Sequence, residues 1–188
     1  MNDSLSQCER FESEWRFAAP PERVWPLLAD TNRLNQVMGL PPVRYTDAPD
    51  PRGGIRRQGQ FSLHGLPMKW EEQPYEWIEG REFGVRRRYL GGPMATFALR
   101  AVLLPDGAGT RVQLRLEFEP RTAALRPLVR IAGRGVFKGF ERALRRFRDY
   151  FEGKVTEPYA LPVPPLSDIQ QARVRTIAGR LAKLGLSP

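Results

Sequence analysis

The sequence predicts an α+β domain: an antiparallel sheet of about seven strands with one long C-terminal helix packed on a single face. Three observations carry this. The middle of the chain alternates apolar and polar residues with period two, short turn-rich links separate the alternating stretches, and an amphipathic run follows them.

The clearest strand is "GTRVQLRLEFEP", in which Val112, Leu114, Leu116 and Phe118 alternate with charged or amide residues. Upstream, "MATFALRAVLL" puts Ala95, Phe97, Leu99, Ala101 and Leu103 on one face. The "PDGAG" between the two predicts a hairpin. "REFGVRRRYL" alternates Phe83, Val85, Arg87 and Tyr89 with polar residues, and "GGP" links it to the next strand. "IRRQGQFSLH" and "PMKWEEQ" are two more strands, parted by a turn at Gly65-Leu66-Pro67. "PVRYTD" is another, "SEWRFA" is the first, and "EWIEGREF" reads as a plain turn.

Between the first two strands lies "PPERVWPLLADTNRLN", which predicts two short helices. Pro21 suits a first turn, Val24, Trp25 and Leu28 point inward, Pro26 keeps the first helix short, and Asp30 or Thr31 caps the second. In the C-terminal run, Val129, Gly133, Val136, Phe137, Phe140, Leu144, Phe147 and Phe151 share one helical face. Arg130, Arg134, Lys138, Arg142, Arg145 and Arg146 take the other, and Gly153 is the stop. Four prolines then fall within residues 158–165, and a weaker helical stretch begins at Ser167 or Asp168. The expected organisation is a tail over 1–10, a domain over 11–153, a Pro-rich linker over 154–166 and a helical extension over 167–188.

Composition narrows the function. Hydrophobic residues make up 41% and charged residues 27% of the chain, an ordinary globular balance. No apolar run approaches the roughly 20 residues of a membrane span, the N-terminus lacks a secretory pattern, and Cys8 has no partner for a disulfide. These features point to a cytoplasmic protein. The net charge is +9, and residues 126–154 hold nine Lys and Arg against three acids. A solvated outer helix face accounts for this, and so does docking on an acidic partner or an anionic membrane. Nucleic acid is disfavoured, because no aromatics interleave with the basic residues.

Catalytic chemistry is sparse. His64 is the only histidine and shares the wet face of its strand, so a surface role is expected. One histidine and one cysteine cannot build a typical zinc site, and no phosphate-binding loop is present, so no metal or other cofactor is expected. Arg87 and Glu72 fall on inward strand faces. They are candidate polar anchors for a ligand, candidate acid–base groups, or simply partners of each other.

The order strand, two short helices, six-stranded meander and long helix is that of the helix-grip fold. With "FAAPPERVWPLLADTNRLNQVMGLPPV" at its head, the chain resembles the START-like, or SRPBCC, superfamily over residues 11–153. That superfamily includes polyketide cyclases and birch-pollen-allergen-like proteins. The stretch from Trp15 to Val43 also resembles the N-terminal domains of bacterial adenylate/guanylate cyclase proteins, whose metal-binding aspartates have no counterpart here. The Pro-rich linker and short second helix suit a piece of a longer protein.

The resemblance implies an apolar cavity between sheet and long helix, and hence a small hydrophobic or amphipathic ligand. Trp70, Phe83, Arg87, Tyr89, Phe97, Leu99, Val112, Leu114 and Leu116 from the sheet, with Gly133, Phe137, Phe140 and Leu144 from the helix, are the expected lining. The same residues would equally make a packed core. Gly133, on the inward face, is expected to mark unfilled volume. The expected role is non-catalytic binding in a regulatory domain. The alternatives are a polyketide cyclase-like enzyme using Arg87 or Glu72, and an interaction module using the face formed by Arg130, Arg134, Lys138, Arg142 and Arg146.

Overall fold

Alternation this regular demands a sheet covered on one side, and the computed structural model has one. Residues 8–51, 53–63, 66–73, 77–159, 176 and 179 are described. Seven antiparallel strands are ordered β1-β7-β6-β5-β4-β3-β2: β1 (Glu9–Phe17), β2 (Arg44–Pro49), β3 (Ile55–Leu63), β4 (Leu66–Gln73), β5 (Glu82–Tyr89), β6 (Met94–Asp106) and β7 (Gly109–Pro120). After β1 come α1 (Pro21–Ala29) and α2 (Thr31–Val37), and after β7 comes α3 (Arg126–Phe151). His64, most of the Pro-rich linker and the expected helix over 167–188 lie outside the described residues, apart from Thr176 and Gly179.

Each expected strand is present with shifted boundaries; the strand expected over 42–47 spans Arg44–Pro49. β1 starts at Glu9 and not at Ser13, because Glu9 pairs with Phe118 and its carboxylate is held by Arg126 at 2.6 Å. The expected turn at Gly65-Leu66-Pro67 is shorter. Leu66 pairs with Leu63 and Pro67 with Ser62, so both belong to β4, where a proline near a strand start removes little pairing. The β6–β7 hairpin closes at Asp106 and Gly109, with Gly107 at φ 62, a left-handed conformation that glycine adopts freely.

The helices follow their sequence signals. Asp30, not Thr31, caps α2, its carboxylate accepting from the Arg33 amide at 3.0 Å. Val24 and Leu28 of α1 are buried against the sheet. On α3, Val129, Gly133, Phe140, Leu144 and Phe147 are buried, and Arg134, Lys138 and Arg142 face outward. Burying side chains of this size stabilises by about 1.5–3 kcal/mol each, so the apolar face, and not helix propensity, holds α3 in place.

Gly133 corrects an expectation. A Cβ there would lie 2.9 Å from the Phe11 ring and 3.0 Å from the Phe118 ring. The glycine therefore marks close approach of α3 to β1 and β7, not spare volume. Phe11 in turn stacks on Phe137, with ring centroids 5.5 Å apart. A second glycine does the same within the sheet. Gly59 of β3 lies opposite Trp70 of β4, and a Cβ at 59 would run into the indole ring. Trp70 lies over bare backbone and is wholly buried.

Candidate functional site

Seating α3 tightly on β1 and β7 leaves the other half of the sheet's inner face less filled. A cavity of about 170 Å³ opens there. Val129, Ala132, Val136 and Phe140 of α3 form one wall, and Thr31, Leu34 and Asn35 of α2, with Met38 and Leu40 beyond it, form another. The floor is Phe61, Met68, Phe83, Val85, Arg87, Tyr89, Phe97, Leu99 and Phe118, and Pro93 and Met94 complete the enclosure. A dry cavity of about 150 Å³ accepts benzene, whereas drug-sized ligands occupy about 300–1,000 Å³. The space therefore fits about one ring or a short chain.

Of the expected lining, Phe83, Arg87, Tyr89, Phe97, Leu99 and Phe140 border the cavity. Val112, Leu114, Leu116 and Leu144 are buried as close-packed core instead. Trp70 lies beneath the floor, Phe137 stacks on Phe11, and Gly133 is filled against by Phe11 and Phe118. The α2 wall has no forerunner among the expected residues. Its one signal was the short helix itself, whose Leu34 and Asn35 sit side by side on the buried face.

Arg87 is the charged residue in the cavity wall, and it is 7% exposed. Its guanidinium stacks 4.6 Å from the Trp70 ring centroid, and its Nε donates to Glu72 Oε1 at 3.1 Å. The Trp70 indole N–H donates to the same oxygen at 2.7 Å. Glu72 thus neutralises Arg87 from below and does not border the cavity; it faces a charged groove with Asp47, Arg56 and Arg57. Of the three alternatives the sequence left open for this pair, mutual pairing is what the geometry contains. Burial pushes the Tyr89 phenol above its ordinary value, and the Arg87 charge pulls against that rise. Burial likewise raises the Tyr45 phenol, and the Arg87 charge again opposes the rise.

Nothing in this wall resembles a catalytic pair. Among the described residues the cavity borders no carboxylate, and a phenol with a raised pKa stays protonated at neutral pH. Among the described residues, no three His, Cys, Asp or Glu side chains converge as a metal site, and no helix is long and apolar enough to cross a membrane.

The "EWIEGREF" turn holds more than a link. Ile78 bridges to Glu82, and the Trp77 indole N–H donates to the Gly84 carbonyl at 2.7 Å. Trp25, Trp77 and Phe83 meet edge to face, with centroids about 6 Å apart, and so tie α1 to the end of β5 that carries the cavity floor.

Comparison with known proteins places this architecture. No curated protein matches the chain in sequence. Among solved structures, the ZhuI aromatase/cyclase from Streptomyces sp. R1128 superposes with a TM-score of 0.53 at 16% identity, over 76% of this chain and 95% of its own. The di-domain ARO/CYC StfQ from the steffimycin biosynthetic pathway gives 0.55 at 12% identity, over 80% of this chain and 54% of StfQ. A Deinococcus radiodurans protein gives 0.51 at 18% identity, over 78% of this chain and all of its own, 100%. At such identities the likeness is one of fold. The family model described as polyketide cyclase / dehydrase and lipid transport matches residues 9–152, and with the helix-grip arrangement this makes the chain a member of that family within the START-like superfamily.

Proposed function

We propose that this domain binds a small hydrophobic or amphipathic molecule in the cavity between α2, α3 and the sheet, without transforming it. The observation that carries the reading is the cavity itself: about 170 Å³ with apolar walls, the charge of Arg87 neutralised by Glu72. The role is regulatory, in a cytoplasmic signalling protein of the bacterial nucleotide-cyclase type, as the resemblance of the Trp15–Val43 stretch suggests. A physical route supports it. Arg33, on the helix that walls the cavity, lies over the ring of Tyr159, in the segment that leads away from α3. A ligand that shifts α2 therefore shifts the anchor of that segment.

Native mass spectrometry of freshly purified protein should detect a co-purified small molecule, and toluene should bind to the emptied protein. Val136→Phe fills the cavity from α3 and should abolish both while the fold persists. Wild-type protein that is ligand-free and does not bind toluene would sink the reading.

A second surface is favoured by its own observation. Arg134, Lys138 and Arg142 are exposed and have no ion-pair partner among the described residues, and Ile131 beside them is 69% exposed. This face docks on an anionic surface, either a downstream domain or a membrane.

A further inference from the structure

Asn35 is a polar side chain in the cavity wall that the protein leaves unpaired. It is 8% exposed, on the buried face of α2. Its backbone carbonyl accepts from the Leu40 amide at 2.8 Å, but its side-chain amide makes no hydrogen bond among the described residues. An amide carries two donors and an acceptor, and at the cavity wall these stay open to a polar group on whatever enters.

Arg87, the other strongly polar wall group, differs in both respects. Glu72 takes its charge at 3.1 Å, and Trp70 supports its face. An anionic ligand entering here would compete with a carboxylate already in place. A neutral ligand faces no such competition, and a hydroxyl or carbonyl on it meets the unused amide.

On the reading that this cavity is a ligand site, we propose that Asn35 is its recognition group and that the ligand is a neutral molecule of about one ring's size carrying a hydroxyl or carbonyl. The hydroxyl donates to Asn35 Oδ1 or accepts from Nδ2, and Phe83, Phe97 and Phe140 enclose the ring.

The test compares ethylbenzene, benzyl alcohol and benzoate by calorimetry on the full chain, in wild type and in Asn35→Leu. Benzyl alcohol should bind wild type at least as tightly as ethylbenzene. Asn35→Leu should shift that preference about tenfold toward ethylbenzene, the size of one net hydrogen bond. In wild type, the Asn35 side-chain amide NMR signals should move further downfield with benzyl alcohol than with ethylbenzene, both sharing the ring-current effect; this decides the matter even if Asn35→Leu fails to fold. An unchanged preference in a folded Asn35→Leu overturns the proposal, as do Asn35 signals that move no further downfield with benzyl alcohol than with ethylbenzene. Benzoate as the tightest ligand of wild type overturns it in favour of Arg87. Failure of all three to bind removes the cavity reading itself, a different outcome from binding without discrimination.

Discussion

The Tyr159 hydroxyl donates to the backbone carbonyl of Leu27 across 3.2 Å, joining the segment after α3 to the first helix of the domain. The ring meets Phe147 edge to face at 5.5 Å, and the Arg33 guanidinium lies 5.3 Å from its centroid. Arg146 donates to the Glu157 carbonyl at 2.9 Å and fixes the same segment from α3. The Pro-rich stretch from residue 154, which reads from the sequence as a linker or an extended strap, is docked as far as Tyr159.

Removing the anchor should register as lost stability. Tyr159→Phe keeps the ring and loses the hydrogen bond, for a cost of about 1 kcal/mol. Tyr159→Ala also loses the contacts with Phe147 and Arg33, for about 2–3 kcal/mol, less than a fully buried aromatic because this one is half-buried. Urea unfolding measures both. An alanine variant as stable as wild type would mean the segment is not docked in solution.

The same anchor should be sensitive to alkali. Burial, and to a lesser degree the Asp30 charge, push the Tyr159 phenol up to about 12, with Arg33 opposing. The fold favours the neutral phenol, so its contribution is full below the unfolded value of about 10 and is lost as pH rises from there through about 12. The stability difference between wild type and Tyr159→Phe should therefore be constant from pH 7 to 9 and shrink above 10. A difference that grows in alkali would reverse the assignment.

Gly59 and Gly133 should resist substitution for one reason, close approach of an aromatic ring. Gly59→Ala forces Trp70, the support of Arg87, out of place and should cost about 1–3 kcal/mol. At Gly133, alanine gains about 1 kcal/mol of helix propensity and loses a similar amount to Phe11 and Phe118, so it should be near neutral. Gly133→Leu should cost about 2–3 kcal/mol while the folded fraction binds toluene as wild type does. Weaker toluene binding by that folded fraction would return Gly133 to the cavity wall.

These two glycines show where sequence reasoning ends. Period-two alternation tells which side of a strand is dry, and it placed Val112, Leu114, Leu116, Phe97 and Leu99 correctly inward. It does not tell which inward residues meet another side chain and which meet space. That depends on where α3 sits, and Phe11, Phe118 and Gly133 set this jointly across β1, β7 and the helix. A glycine on an inward face reads as spare volume or as close contact until its neighbours are known. Gly59, inside an otherwise regular strand, did carry a usable signal, since such a residue often marks a bulge or a place where another group closely approaches the backbone. The α2 wall was hidden because a seven-residue helix shows too few turns to reveal which residue borders a void.

The basic face of α3 yields the last prediction, and the structure narrows it. Two of the five residues expected to act there have partners: Arg130 approaches Glu9 at 3.5 Å, and Arg146 holds the Glu157 carbonyl. Arg134, Lys138 and Arg142 are the ones left to meet another surface, with Ile131 exposed on the same side. Changing all three to Gln should move stability by no more than about 0.5 kcal/mol, since exposed residues without partners hold little together. Near an anionic membrane each Lys or Arg contributes about 1 kcal/mol, so the triple variant should bind phosphatidylserine-containing vesicles roughly 100-fold more weakly at low salt. The gap should close as salt rises, because charges on an exposed face are screened over about 8–10 Å at physiological ionic strength. Ile131→Ser separates the two partners: inserting an apolar side chain at the headgroup boundary strengthens vesicle binding, whereas a purely electrostatic contact with an acidic downstream domain does not need it. Equal binding of wild type and the triple variant at low salt, both to vesicles and to the separately expressed downstream region, would leave the three charges as a solvated helix face and nothing more.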